Sequence, residues 1–303
     1  MADKCAPGKN FNEGSCIDKE SLKNIAENFN EEYNQNIDIN LNKNELVDTL
    51  EKNFKKKFDC DDQLCWLNQS FVKRISNPQL SKYTFRPEGP KKKYEWLSTT
   101  NINDVVEQYE NDVDDFLFLG AVPYDFQELR ELQMGKELNF DEVIDGKVND
   151  DNKKGNKINK MGMVINLDPH YKSGSHWVAL YNDFEKNQIY FFDSFGKKPR
   201  KKIKKFINKL TKYMYQKKYN KKLPINKLIG DLKNKNKTEE IDNLSKFDIR
   251  YNSIQHQLEN SECGVYSINF LVRLAKGESF DEIIKNITRD EKMNNCRKTY
   301  FRN

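Results

Sequence analysis

The sequence predicts an α+β protein, on three observations. Residues 18–75 carry apolar side chains at helical spacing in three successive segments. The centre, from Met163 to Phe192, is rich in β-branched and aromatic residues and contains a hairpin pattern. From Cys263 onward the chain reads as a strongly apolar helix. Helices, then a β-rich centre, then helices is an α+β order, unlike the alternation of βαβ units.

Taken along the chain, the stretch DKESLKNIAENFNEEY puts Leu22, Ile25, Ala26, Phe29 and Tyr33 on one helical face. NELVDTLEKNFKKKF does the same with Leu46, Val47, Leu50, Phe54 and Phe58, and Leu64, Leu67, Phe71, Val72 and Ile75 mark a third helix. Together they form a helical N-terminal domain, residues 1–77, with nothing catalytic in it. Pro78, Pro87, Gly89 and Pro90 mark a linker, 78–92, before a second domain, 93–303. There INDVVEQYENDV predicts a helix through Ile102, Val105, Val106 and Tyr109. FLFLGAVPYDF is a short apolar run ended by Pro123, either a strand or a buried helical segment. Met163–Leu167 reads as a strand. His176–Tyr181 and Gln188–Phe192 read as a hairpin about the polar turn 182–187. After Pro199, Ile203, Phe206, Ile207, Leu210 and Met214 return to helical spacing, as do Val265, Ile268, Leu271, Val272 and Ala275 after Cys263.

The 303 residues allow one large domain, or a medium domain with an appendage. No run approaches the roughly 20 apolar residues of a membrane-spanning helix, so no membrane partner is expected, and MADKCAPGKNFNEGSC lacks the apolar core of a secretion signal. The net charge of +5 hides an uneven distribution: residues 197–237 hold 17 Lys and Arg against one acid, Asp231. This basic insert, about 197–238, is a solvated surface in the plainer reading. In the functional one it is a non-specific, salt-sensitive nucleic-acid surface, with Tyr213, Tyr215 and Tyr219 placed to stack on bases. Of six cysteines, Cys5, Cys16, Cys60 and Cys65 lie in the first 65 residues, and Cys263 and Cys296 near the other end. The early spacing fits neither a common zinc module nor a CxxC pair. Free structural thiols are the leading reading, with two disulfides, a cysteine-rich clip formed in an oxidising particle, or zinc as alternatives.

Thiol-based acyl transfer needs a thiolate, an imidazole to activate it, a polar group to orient the imidazole, and donors for the oxyanion. The chain has three histidines: His170, His176 and His256. His176 opens one strand of the hairpin and Asp193 follows the end of the other, so the hairpin can bring imidazole and carboxylate together. Cys263 starts a helix, where the dipole and an adjacent imidazolium favour a thiolate, and Gly264 permits close backbone approach. Gln257, six residues before Cys263, can offer an amide to the oxyanion. Singly, each residue has a bland explanation: a buried apolar Cys, a turn Asp, a half-buried His. His170, His256 and Cys296 are assigned no catalytic part.

The segments GSHWVALY, IYFFDSFGKKP and HQLENSECGVYSINF, in this order and spacing, resemble the ubiquitin-like-protein proteases, the family of the SUMO proteases and the adenovirus protease. Trp96 and Leu97 in EWLSTTNINDVV match that family's Trp-Leu segment, and the resemblance spans roughly residues 90–275. It implies a papain-like core with circularly permuted order His-Asp-Gln-Cys. Cys263 would be nucleophile, His176 base and then acid, and Asp193 its orienter. Gln257 and the Cys263 N–H would form the oxyanion hole, while Trp96 and Trp177 would clamp a tunnel that admits only Gly-Gly before the cut bond. FLGAVPYDF and NLDPHYKSGSHW look like versions from large DNA viruses, and the helical N-terminal unit is similar to a domain added in those enzymes. The resemblance therefore implies a viral endopeptidase that processes structural polyproteins during particle maturation, located in the virion and host cytoplasm. It implies no cofactor beyond possible activation by DNA bound through 197–237. A protease that deconjugates SUMO or ubiquitin is the alternative, and WLSTT, where the family has Asn-Asp, bears on contacts with such a modifier. An effector-type acetyltransferase, disfavoured by the His-Trp and Gln-x5-Cys-Gly signatures, and a non-catalytic DNA-binding virion protein, disfavoured by the intact quartet, are further readings.

Overall fold

The computed structural model describes residues 4–77, 79–80, 84–146, 157–241 and 246–302. Pro78 and residues 81–83 of the expected linker lie outside the described residues. The chain divides into two compact units, 1–89 with 298–303, and 90–297. The divide thus falls late in the expected linker, and the last six residues group with the first unit instead of the second. The reason is local: the Arg302 N–H donates to the Pro87 carbonyl (3.2 Å) and Arg86 Nη1 to the Lys298 carbonyl (2.8 Å).

In the first unit, α1 (Lys19–Tyr33) begins at Asp18, whose carboxylate accepts the Ser21 N–H at 2.9 Å. α2 (Lys43–Phe58) begins with a capping box between Asn42 and Glu45. Their apolar faces meet in a core of Leu22, Ile25, Phe29, Leu46, Leu50 and Phe54, closed by Trp66 and Phe71. The expected third helix is two short ones, α3 (Gln63–Leu67) and α4 (Ser70–Lys73), because Gln69 takes an extended backbone and turns its amide onto the Cys65 carbonyl at 3.0 Å. The favoured reading of the four early cysteines is overturned: Cys5–Cys16 and Cys60–Cys65 are disulfides, each with Cα atoms 5.5 Å apart. Closing loops of this size restricts the unfolded chain by about 2–3 kcal/mol each.

The second unit is built on a five-stranded sheet in the order β1-β2-β3-β4-β5. Its strands are β1 (Phe116–Val122), β2 (Lys160–Asn166), β3 (Trp177–Asp183), β4 (Gln188–Phe192) and β5 (Asp248–Tyr251). The central three are antiparallel, and both edge strands run parallel to their neighbours. FLFLGAV is therefore a strand, not a helix. The sheet buries both faces by the period-two alternation of strands. Met161, Met163, Ile165, Val178, Leu180, Ile189 and Phe191 share a core with Ile203, Phe206, Leu210 and Met214 of α7 (Lys201–Tyr219). On the other face, Phe192 stacks on Phe270 of α9 (Cys263–Ala275) with centroids 4.7 Å apart, and α5 (Thr99–Glu110) packs beside α9.

The basic segment is therefore no solvated appendage. α7 gives its apolar stripe to the core, and α8 (Ile225–Ile241), which the sequence did not announce, adds Leu228 and Leu232. The lysines occupy the remaining faces, as an amphipathic helix requires. Small helices α6 (Phe140–Ile144), α10 (Phe280–Lys285), α11 (Asp290–Asn295) and α12 (Arg297–Tyr300) complete the described α-helices.

Candidate active site

The β3–β4 hairpin pairs Ala179 with Phe192, so His176 and Asp193 lie just past the end of the ladder on opposite strands. His176 Nε2 and Asp193 Oδ1 stand 2.8 Å apart, and the Asp193 side chain is almost completely buried. Asp193 is itself held: Oδ1 accepts the Phe195 N–H at 2.9 Å, and Asn252 accepts the Asp193 N–H and donates to its carbonyl. The Phe195 ring packs on the imidazole with centroids 4.9 Å apart.

The Cys263 thiol is near enough to the same imidazole to raise its pKa. Burial disfavours the charged ring, but hydrogen bonds to Asp193 and Cys263 and their negative charge outweigh it, raising the His176 pKa to about 9. The imidazolium form of His176 is thus favoured. Cys263 is the first residue of α9, only 3% exposed, and the first-turn N–H groups of a helix have no intrahelical acceptor. Gly264 suits a tight approach here: a Cβ would stand 3.0 Å from Leu97 Cβ and 3.2 Å from its Cδ1, so the leucine would have to give way.

Gln257 is fully buried in the loop before α9. The Ser194 hydroxyl donates to its Oε1 at 2.6 Å and its Nε2 donates to the Glu259 carbonyl at 2.7 Å. These two bonds fix which end of the amide carries the protons and leave one N–H for another acceptor.

The two tryptophans differ. Trp177 is buried, and its indole N–H donates to the Leu97 carbonyl at 3.0 Å; Trp96, next to Leu97, is 49% exposed. WLSTT has a plain role: Ser98 caps α5 in a capping box with Asn101.

The other histidines stand apart from the thiol. His170 Nδ1 lies 2.7 Å from Asp125 Oδ2 on a half-exposed loop. His256 is buried, and its pKa is lowered, mainly by that burial.

Sequence reasoning missed Ser194, Phe195 and Asn252. DSFG placed the first two beside Asp193, so a signal existed for them, but Asn252 carried none. It also missed Glu262, whose fully buried carboxylate is bound side-on by the Arg297 guanidinium (Nε 2.9 Å, Nη2 3.0 Å).

An imidazole held by a buried carboxylate beside a helix-starting thiol can shuttle protons during acyl transfer, which is the chemistry of the cysteine proteases. Comparison with known families agrees. The model of the Ulp1 protease family, C-terminal catalytic domain, matches residues 135–303, and this chain belongs to that family. The thiol protease R355 of Acanthamoeba polyphaga mimivirus is 31% identical over 318 residues, covering 99% of this chain and 93% of the relative. The cysteine protease S273R of African swine fever virus is 24% identical, covering 85% and 88%. The crystal structure of the selenomethionine African swine fever virus pS273R protease shares the fold at a TM-score of 0.62 and 19% identity, covering 100% of this chain and 97% of the other. The chain is a cysteine protease of this type, and the acetyltransferase and non-catalytic readings lose to that assignment.

Proposed function

We propose that this cysteine protease is an endopeptidase that cuts after Gly-Gly in viral structural polyproteins during particle maturation, within the virion and host cytoplasm. The observation that carries the reading is the imidazole of His176, held 2.8 Å from the buried Asp193 carboxylate and near enough to Cys263 for the thiol to raise its pKa. In the proposed cycle the Cys263 thiolate attacks the scissile carbonyl carbon, forming an S–C bond as the C=O electrons move to oxygen. The oxyanion takes the spare Gln257 N–H and the Cys263 backbone N–H. The C–N bond then breaks, and His176 gives its proton to the leaving amine. Water attacks the thioester, His176 accepts the water's proton, and the S–C bond breaks to release the acid.

The Gly-Gly preference is supported by the match of Trp96 and Trp177 to the tryptophans that clamp the family's narrow tunnel, Trp177 being anchored by its indole bond to the Leu97 carbonyl. The viral setting is supported by the viral relatives. A second reading, removal of SUMO-like modifiers, is favoured by the description of S273R from several African swine fever virus isolates as a SUMO-1 cysteine protease.

One assay separates the two readings: a short Gly-Gly-Xaa reporter peptide against folded SUMO or ubiquitin carrying a C-terminal reporter. We expect the peptide to be cut at least tenfold more efficiently, whereas the reverse preference would replace polyprotein processing with deconjugation. DNA activation is proposed on the cation excess of 197–237, of which Lys202 already pairs with Glu128 and Lys217 with Asp141. Duplex DNA added to the same assay is expected to raise kcat/KM at 50 mM salt and to lose that effect by about 200 mM. A salt-independent response, or none, would leave the lysines as a solvated face.

A further inference from the structure

Residues 93–97 form a ledge that ends where Leu97 lies against Gly264 in the first turn of α9, and every second carbonyl along it is held by a donor from elsewhere in the chain. Asn294 Nδ2 donates to the Lys93 carbonyl at 2.7 Å, Arg297 Nη2 to Glu95 at 2.7 Å, and Trp177 Nε1 to Leu97 at 3.0 Å. The side chains between these carbonyls, Tyr94 and Trp96, are about half exposed.

The same two C-terminal residues grip the position before the thiol. Arg297 binds Glu262 with two nitrogens, and Asn294 Nδ2 also donates to Glu262 Oε1 at 3.0 Å. Asp290, at the start of α11, accepts the N–H groups of Leu258 and Glu259, and Arg289 donates to the carbonyls of Gln255 and His256. One short segment, 289–297, therefore fastens the Gln257 loop, the residue before Cys263 and the ledge.

We infer that Arg297 and Asn294 are positioning residues that hold the Trp96–Leu97 ledge against the first turn of α9, and so decide how bulky a group can reach the Cys263 thiol. The inference rests on Cys263 being the working thiol. Its chemistry suits arginine in particular. A planar guanidinium can bind a carboxylate side-on and still aim Nη2 at a backbone carbonyl, whereas a lysine ammonium is a compact point charge on a flexible stem that cannot reproduce that planar fork. Glu262 needs this partner because it has no exposed surface. Gly264 sets the limit in the other direction, since without a Cβ the ledge closes onto the first turn of α9.

The test measures access to the thiol, independently of any substrate. Alkylation of Cys263 by iodoacetamide and by fluorescein maleimide is followed by mass spectrometry of the Cys263 peptide, each rate divided by that of N-acetylcysteine. Wild type is expected to discriminate strongly against the bulky reagent. Arg297→Lys and Asn294→Ala are each expected to raise the bulky-to-small ratio at least fivefold, and to lower kcat/KM at least tenfold, at a melting temperature within a few degrees of wild type. A merely structural loss would raise both alkylation rates together. If Arg297→Lys melts early, Asn294→Ala, which removes one amide, decides. An unchanged ratio, or equal normalised rates in wild type, overturns the inference. Failure of the catalytic reading would show separately, as cleavage surviving in Cys263→Ala.

Discussion

Replacing Cys263 with alanine is expected to abolish peptide cleavage, with kcat down by at least about 10⁴-fold, while the fold stays intact. The substitution deletes one buried sulfur at the start of α9. It leaves the Cys263 carbonyl to accept the Ser267 hydroxyl as before (2.9 Å) and does not touch the Gly264–Leu97 contact. A void of one atom costs about 1 kcal/mol, so the circular dichroism spectrum should be unchanged and the melting temperature should move by only a few degrees. Cys263→Ser should be nearly as inactive, because a hydroxyl does not ionise opposite this imidazole. No other thiol can take over. Four cysteines are in disulfides, and Cys296, the remaining free one, has its pKa raised, chiefly by burial. Activity above about a tenth of wild type in the alanine variant would mean that the chemistry lies elsewhere.

The site was more legible in the sequence than the fold around it, for a physical reason. His176 and Asp193 belong to one hairpin, and local pairing fixes their meeting, so spacing alone carries the signal. Cys263 declares itself through the apolar helix it begins. The elements that escaped notice are those whose stability is not local. β5 is four residues, Asp248-Ile-Arg-Tyr, with no apolar run, and it exists because β4 offers an unpaired edge. The break between α3 and α4 follows from a side-chain bond of Gln69, and the clamp at 289–297 from contacts across about 200 residues of sequence. The cysteines misled because a C-x10-C spacing says nothing about whether the intervening loop returns on itself. Ala6, just after Cys5, donates to the Thr84 carbonyl, and the Ser15 hydroxyl, just before Cys16, bonds Gln63, and neither contact is visible in spacing. The basic segment misled in the opposite way: its charge count dominated the reading, although Ile203, Phe206, Leu210 and Met214 already traced the stripe that buries it.

Asp193→Asn is expected to lower kcat/KM by about 10²-fold and to shift the alkaline limb of the pH profile to lower pH. The two effects have one origin. Asp193 Oδ1 accepts both His176 Nε2 and the Phe195 N–H, and the latter will keep the oxygen of an asparagine facing the imidazole. Orientation therefore survives and only the negative charge is lost, which makes Asn milder than Ala, for which we expect 10³-fold or more. The charge matters through His176. Burial alone would push its pKa down, and the bonds and charges of Asp193 and Cys263 raise it instead to about 9. Because the imidazolium donates the proton to the leaving amine, the rate should hold below that pKa and fall as pH rises through it. Removing the Asp193 charge weakens the imidazolium, so the fall should begin at lower pH, and each unit of displacement corresponds to about 1.4 kcal/mol of lost stabilisation. Measuring kcat/KM for both proteins from pH 5 to 10 checks the sign as well as the size. An alkaline limb that stays in place when the carboxylate is gone would belong to some other group, and Asp193 would then orient the ring without tuning its charge.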